Sequence, residues 1–164
     1  MKTLVSLSAL ALVLVLAPTA FAQSDWTANA TTGAIRPGSA PQAWFGPSLG
    51  FSGASLGTIV SRYNVTNTWG TAAGGPIPPW TWLRASIDDS TASGFVSVRL
   101  FEVRHCSNQA VLMCEIVSAD VPGTQCPVCK LPYQLDFSTH EYYVEVTMNR
   151  NMNVPLTVTG LNLF

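Results

Sequence analysis

Four cysteines, spaced Cys106-x7-Cys114-x11-Cys126-x2-Cys129, carry the most direct covalent and metal chemistry in this chain. In an exported chain an even cysteine count points to disulfides. Closeness in sequence favours Cys106 with Cys114 and Cys126 with Cys129. Geometry complicates the first pair. A four-residue turn over Ser107 to Ala110 leaves Cys114 about 10 Å down the return strand at ~3.4 Å per residue, too far to bridge. A wider loop repairs this; otherwise Cys114 bonds a cysteine of the 126–129 segment. The local pairing is the preferred expectation, and the other stays open.

Two further chemistries fit the same residues less well. A thiol–redox site at Cys126-Pro-Val-Cys129 needs a helix N-terminus to activate the first thiol, and the following Lys130-Leu-Pro132 does not offer one. Zinc, even with His105 added, wants two closely spaced cysteine pairs, which C-x7-C does not provide. No cofactor and no metal are expected.

Nucleophilic chemistry has one sequence match. Gly53-Ala-Ser55-Leu-Gly57 fits G-x-S-x-G, and Asp120 or Asp136 followed by His140 completes the Ser…Asp…His order. That elbow works above a parallel sheet with alternating helices, and no such alternation surrounds it here. The expected reading is a Gly/Ser turn. Asp88-Asp89, Glu102, Glu115, Glu141 and Glu145 single out no flanking pair for glycoside hydrolysis. Asp88-Asp89 also begins no EF-hand spacing. No catalytic residue is assigned.

The tryptophans are better candidates, chiefly Trp80 and Trp82, with Trp69 nearby. In strict alternation Trp80, Trp82 and Arg84 share one face, and Leu83, Ala85 and Ile87 share the other. Exposed rings there would stack on sugars or anchor a protein partner. The competing role is structural, with both rings covered by the Gly/Pro-rich N-terminal stretch. Trp80, Trp82 and Arg84 are the expected binding residues.

Strands must position these groups. Ile59, Tyr63 and Val65 open the first clear alternation, followed by Trp80–Ile87 and by Phe95–Arg104 with its return Val111–Val117. Leu131–Phe137, Tyr142–Asn149 and Val154–Leu163 follow. Phe101 and Val103 break phase with Val96, Val98 and Leu100, which implies burial on both sides or a bulge near Leu100. Gly160 marks a second phase switch. The expected fold is an all-β antiparallel sandwich, jelly-roll or Ig-like, of about seven to eight strands. Residues 58–164 form it, and residues 23–57 are a Gly/Pro/Ser-rich arm or edge strands. The closing Phe164 on an alternating strand also suggests an outer-membrane barrel, but Gly160 and Asn162 occupy positions that lipid would want apolar.

Residues 1–22 read as a signal peptide: Lys2, an apolar run from Leu4 to Leu16, then Ala20-Phe-Ala22 for cleavage. No later run is long enough for a transmembrane helix. A formal net charge of −1 argues against a nucleic-acid partner, which needs a basic patch. The expected protein is therefore secreted, periplasmic or extracellular, and non-enzymatic, with a binding or structural role at the envelope or exterior. Its partner is a glycan or another protein. Carbohydrate binding through Trp80 and Trp82 is the alternative, and a metal or thiol site at the cysteines is the remote one.

Overall fold

A computed structural model describes residues 25–69, 77–89, 92–119, 121 and 123–164. The expected signal peptide lies outside the described residues. The described residues form twelve strands: β1 Trp26–Asn29, β2 Ala34–Ile35, β3 Gln42–Phe45, β4 Ser48–Phe51, β5 Gly57–Val65, β6 Trp82–Asp89, β7 Gly94–Arg104, β8 Ala110–Val117, β9 Thr124–Gln125, β10 Val128–Lys130, β11 His140–Arg150 and β12 Leu156–Leu163. A 3-10 turn over Ala30–Thr32 joins β1 to β2. No helix among the described residues is long and apolar enough to cross a membrane.

The strands make two antiparallel sheets packed on one core, the sandwich expected from the alternation. One sheet runs β10-β6-β12-β4-β3, with β1 added beside β12 and β9 beside β6; the other runs β2-β5-β11-β7-β8. Leu83, Ala85 and Ile87 of the first sheet are fully buried, as are Val96, Val98, Leu100, Val144 and Val146 of the second. Each such valine, leucine or isoleucine contributes about 1.5–3 kcal/mol when fully removed from water. These two inner rows hold the sheets face to face.

Several local expectations are corrected. Of the two readings left open for the 23–57 stretch, arm or edge strands, it takes the strand one: it supplies β1 to β4, and β1 pairs with β12 across Trp26↔Leu163 to Asn29↔Gly160. Strands of two to four residues show too few alternations to register as periodic. Leu131–Phe137 is not a strand, although Leu131 and Leu135 are buried. Pro132 removes a ladder donor in that segment, which instead packs its apolar side chains onto the core. The irregularity near Leu100 lies in the partner strand: Leu100 pairs with Cys114 and Phe101 with Leu112, leaving Met113 as the extra residue. The second phase switch is where it was expected, as a register shift between Val158 and Gly160.

Two contacts tie the N-terminal strands to the second sheet. The Tyr63 hydroxyl donates to the Ala30 carbonyl at 2.7 Å inside the core. Gly33 crosses so close to β5 that a Cβ there would lie 2.1 Å from Ser61 Oγ and 2.4 Å from the Tyr63 ring. Any side chain at residue 33 would therefore force these elements apart.

Candidate functional site

The outward face of β6 carries the expected Trp82 and Arg84, but Trp80 is not on it. Trp80 is 1% exposed, whereas Trp82 is 36% exposed. The reason is the strand boundary: β6 begins at Trp82, so the alternation that relates side chains within a pleat does not extend back to residue 80. Instead Trp80 turns inward at the end of the sandwich, edge-on to Phe137 at 6.3 Å, and Phe137 packs on Tyr142 at 5.0 Å. Trp69, half-buried, donates its backbone N–H to Asn67 Oδ1 at 3.1 Å and lies outside β6.

In place of Trp80, the neighbour of Trp82 is Phe164. Their backbones exchange hydrogen bonds, both at 3.1 Å, which sets the two side chains side by side. Phe164 is 37% exposed. Lys130 flanks Trp82 on the other side, through the β10–β6 pairing. The next row across the sheet is Val128, Arg84, Asn162 and Thr27. Arg84 lies over the Phe164 ring at 5.0 Å and donates to Asn162 Oδ1 at 3.2 Å. Asn162 in turn donates to the Trp26 carbonyl at 3.4 Å. The guanidinium is thus oriented, yet spends only one of its five N–H donors on a described residue.

Beyond that row the sheet is hollow. Gly160 has no side chain, and a shallow depression of about 240 Å³ lies over it, lined by Thr27, Asn29, Arg84, Ser86, Cys126 and Asn162 among others. The Thr27, Asn29 and Ser86 side chains hydrogen-bond to no described residue. The site therefore combines a wide indole, a second ring, an oriented cation and a rim of free hydroxyl and amide groups. Such a surface can bind and orient a polyhydroxylated ligand. Among the described residues, no ring or cation packs on Trp82.

The cysteines are corrected too. Cys114 is bonded to Cys129, with Cα atoms 6.1 Å apart, while Cys106 and Cys126 are free and exposed. The preferred local pairing fails on register. Cys114 sits opposite Leu100, four residues short of the end of β7 at Arg104, about 14 Å at ~3.4 Å per residue, and Cys106 lies in the turn beyond that end. The observed bond joins β8 of one sheet to β10 of the other, a covalent clasp at the edge of the sandwich. Cys129 being taken, Cys126-Pro-Val-Cys129 is not a redox pair. Among the described residues, no group of three or more His, Cys, Asp or Glu comes together to hold a metal.

The Ser55–His140 arrangement is not assembled. Ser55 and Arg150 are in contact, whereas His140 lies at the opposite end of β11 from Arg150, about 33 Å away at ~3.3 Å per residue. Asp120 falls outside the described residues. Four carboxylates of the strands are held as acceptors: Glu145 by Arg62 and Arg99, Glu115 by Ser97 at 2.7 Å, Glu102 by Tyr133, and Asp89 by Ser118. Donation from the Ser138 hydroxyl and backbone holds Asp136 below the usual carboxylate range. The hydrogen bond to Glu102 pushes the Tyr133 hydroxyl up to about 12, and burial raises those of Tyr63 and Tyr142.

Phe164, Asn162 and the Gly160 hollow were missed as site residues by sequence reasoning. Their alternation was visible, but which strand lies beside β6 is a matter of topology. No protein-family model matches the chain, and no curated protein matches it. Among solved structures it is similar to the family 11 carbohydrate-binding module from Clostridium thermocellum in complex with a beta-1,3-1,4-mixed-linked tetrasaccharide. That match has a TM-score of 0.46 and 9% identity over 86% of this chain and 87% of that one. It is also similar to a variant of a family 29 carbohydrate-binding module, with a TM-score of 0.34 and 9% identity over 82% and 89% of the two chains. A further family 29 module has a TM-score of 0.30 and 8% identity over 83% and 77%. No function is read from likeness at this level.

Proposed function

We propose that this is an exported, non-enzymatic binding protein of the cell envelope or exterior, and that it takes a carbohydrate on the outward face of its seven-stranded sheet. One observation carries the reading: exposed Trp82 and Phe164 stand beside a hollow rimmed by uncommitted Thr27, Asn29, Ser86 and Arg84 groups. A sugar ring has an apolar C–H face and an equatorial belt of hydroxyls. The indole suits the first, and the mixed donors and acceptors of the rim suit the second. The covalent clasp between β8 and β10 supports an oxidising compartment, where such bonds persist.

The test is a glycan screen of the full chain, followed by titration calorimetry on any hit with two variants. Trp82→Ala removes the platform. Gly160→Val fills the hollow, and its backbone tolerates the change because a Cβ there makes only an ordinary 3.7 Å contact to the Ala28 carbonyl. Both variants should bind at least about tenfold more weakly, the scale expected for truncating a central aromatic anchor. Unchanged affinity in both would remove this face from the ligand site. A screen with no glycan hit, alongside capture of a protein partner that Trp82→Ala abolishes, would keep the face and replace the sugar.

A further inference from the structure

At the end of the sandwich where β11 turns into β12, a cleft of about 520 Å³ opens between the β3–β4 hairpin and residues 153–157. That volume is within the range of small-molecule sites, roughly 300–1,000 Å³. Phe45, Phe51, Val154, Pro155 and Leu156 supply most of its lining, and Phe45 is 54% exposed at its mouth. Arg150 completes it, with only 4% of its surface exposed.

Arg150 is an unusual guanidinium. Its Nε donates to the Ser55 carbonyl at 2.8 Å, Nη2 donates to Gly53 at 2.8 Å and again to Ser55, and Nη1 donates to Val154 at 3.2 Å. The Phe51 ring lies 4.5 Å from its centre. This explains the G-x-S-x-G stretch physically: the turn is a carbonyl cradle for a buried cation, not a nucleophile elbow. All these acceptors are neutral dipoles. Among the described residues the ion pairs are Arg62–Glu145 and Arg99–Glu145, so no carboxylate neutralises Arg150. Four of the five N–H donors are used, and one on Nη1 is left over. A buried, unneutralised cation is costly, and an incoming anion relieves that cost. Burial also holds the Arg150 pKa below the ordinary guanidinium value, the same penalty seen from the proton's side.

We propose that this cleft is a second binding site, for a compact six-membered-ring ligand bearing one carboxylate. The carboxylate meets the free Nη1 hydrogen and the uncompensated charge, and the ring lies against Phe45 and Pro155. A phosphate dianion fits worse, because it needs several donors and the walls here are apolar. Two sources share the chemistry, an aromatic acid and a uronic acid sugar.

Both are tested on the full chain by chemical-shift mapping and calorimetry, with 4-hydroxybenzoate against 4-hydroxybenzamide and glucuronate against glucose. In at least one pair the carboxylate should bind at least about tenfold tighter than its neutral partner. Its shifts should centre on Phe51, Val154 and Leu156 and fade with added salt. Phe45→Ala, on the exposed rim, should weaken that binding about tenfold and leave the melting temperature near wild type. Arg150→Met should erase the preference for charge if it folds. Trp82→Ala should change nothing here, which separates this site from the sugar platform. Equal binding of charged and neutral partners, or no shifts at these residues from either acid at millimolar concentration, would overturn the proposal.

Discussion

The two outward faces of the sandwich are built from the same kinds of residue and end in opposite conditions. On the five-stranded sheet, one row reads Arg62, Glu145, Arg99, Glu115 across four strands, alternating in sign. Glu145 accepts from Arg62 at 2.8 Å and from Arg99 at 2.7 Å, and Ser97 closes the row on Glu115. The row beside it stacks Phe101 on Tyr143 at 5.1 Å, with Arg62 over one ring and Arg99 over the other. In these two rows each charge and each ring already has a partner in the chain. On the seven-stranded sheet, among the described residues, Trp82 has no ring partner, Arg84 has donors to spare, and the rim of the Gly160 hollow is uncommitted. The lesson is that composition does not mark a binding face. What marks it is valence left open after folding.

The largest expected effect concerns what holds the two faces to one frame. Replacing Cys114 and Cys129 together by serine opens a link between residues 15 apart in sequence, and should cost about 3 kcal/mol in urea unfolding. Both faces would then be lost in one transition. Separate transitions for the two sheets would break the picture of a single frame.

Next comes the closed face. Glu145→Gln leaves Arg62 and Arg99 facing each other without their shared anion, and should cost about 1–2 kcal/mol, discounted because Arg62 is 51% exposed. Glycan affinity should not move. A loss of glycan binding in this variant would show that the faces are not independent.

Trp82→Ala should give the mirror image, with binding down about tenfold and stability within about 0.5 kcal/mol of wild type. A drop of several degrees in melting temperature would mean that Trp82 is structural after all.

The smallest effect belongs to neither face. Tyr133 has its hydroxyl raised to about 12 by donation to Glu102. A folded-state value above the unfolded one, near 10, stabilises the protein fully below pH ~10 and is lost as pH climbs through ~12. Tyr133→Phe should therefore flatten alkaline destabilisation in that window and nowhere below it. Ultraviolet titration of the tyrosinates checks the assignment, since one late-titrating phenol should disappear.

Much of this architecture is legible in the chain itself. The strands of eight or more residues declare themselves by alternation, and Leu83, Ala85 and Ile87 are read correctly as core because they lie inside one unbroken pleat. Trp80 is misread for the complementary reason: parity holds only between residues of the same strand, and Pro78-Pro79 delivers it from outside. Gly160 is legible as an irregularity, yet its consequence, a hollow beside Asn29 and Ser86, depends on which strands flank β12. Phe164 reads as a mark of a lipid-facing barrel until the topology sets it beside Trp82. Cysteine connectivity is unreadable in the same way, because it is a statement about neighbours across two sheets.

The extra residue in β8 has one last consequence. In an uninterrupted ladder, pairing Phe101 with Leu112 would put Met113 across from Leu100 and Cys114 across from Arg99, on the outer surface. The slip at Met113 returns that sulfur to the interior, toward Cys129. A single irregular step in hydrogen bonding thus decides the oxidation state of the molecule: two loose thiols rather than four.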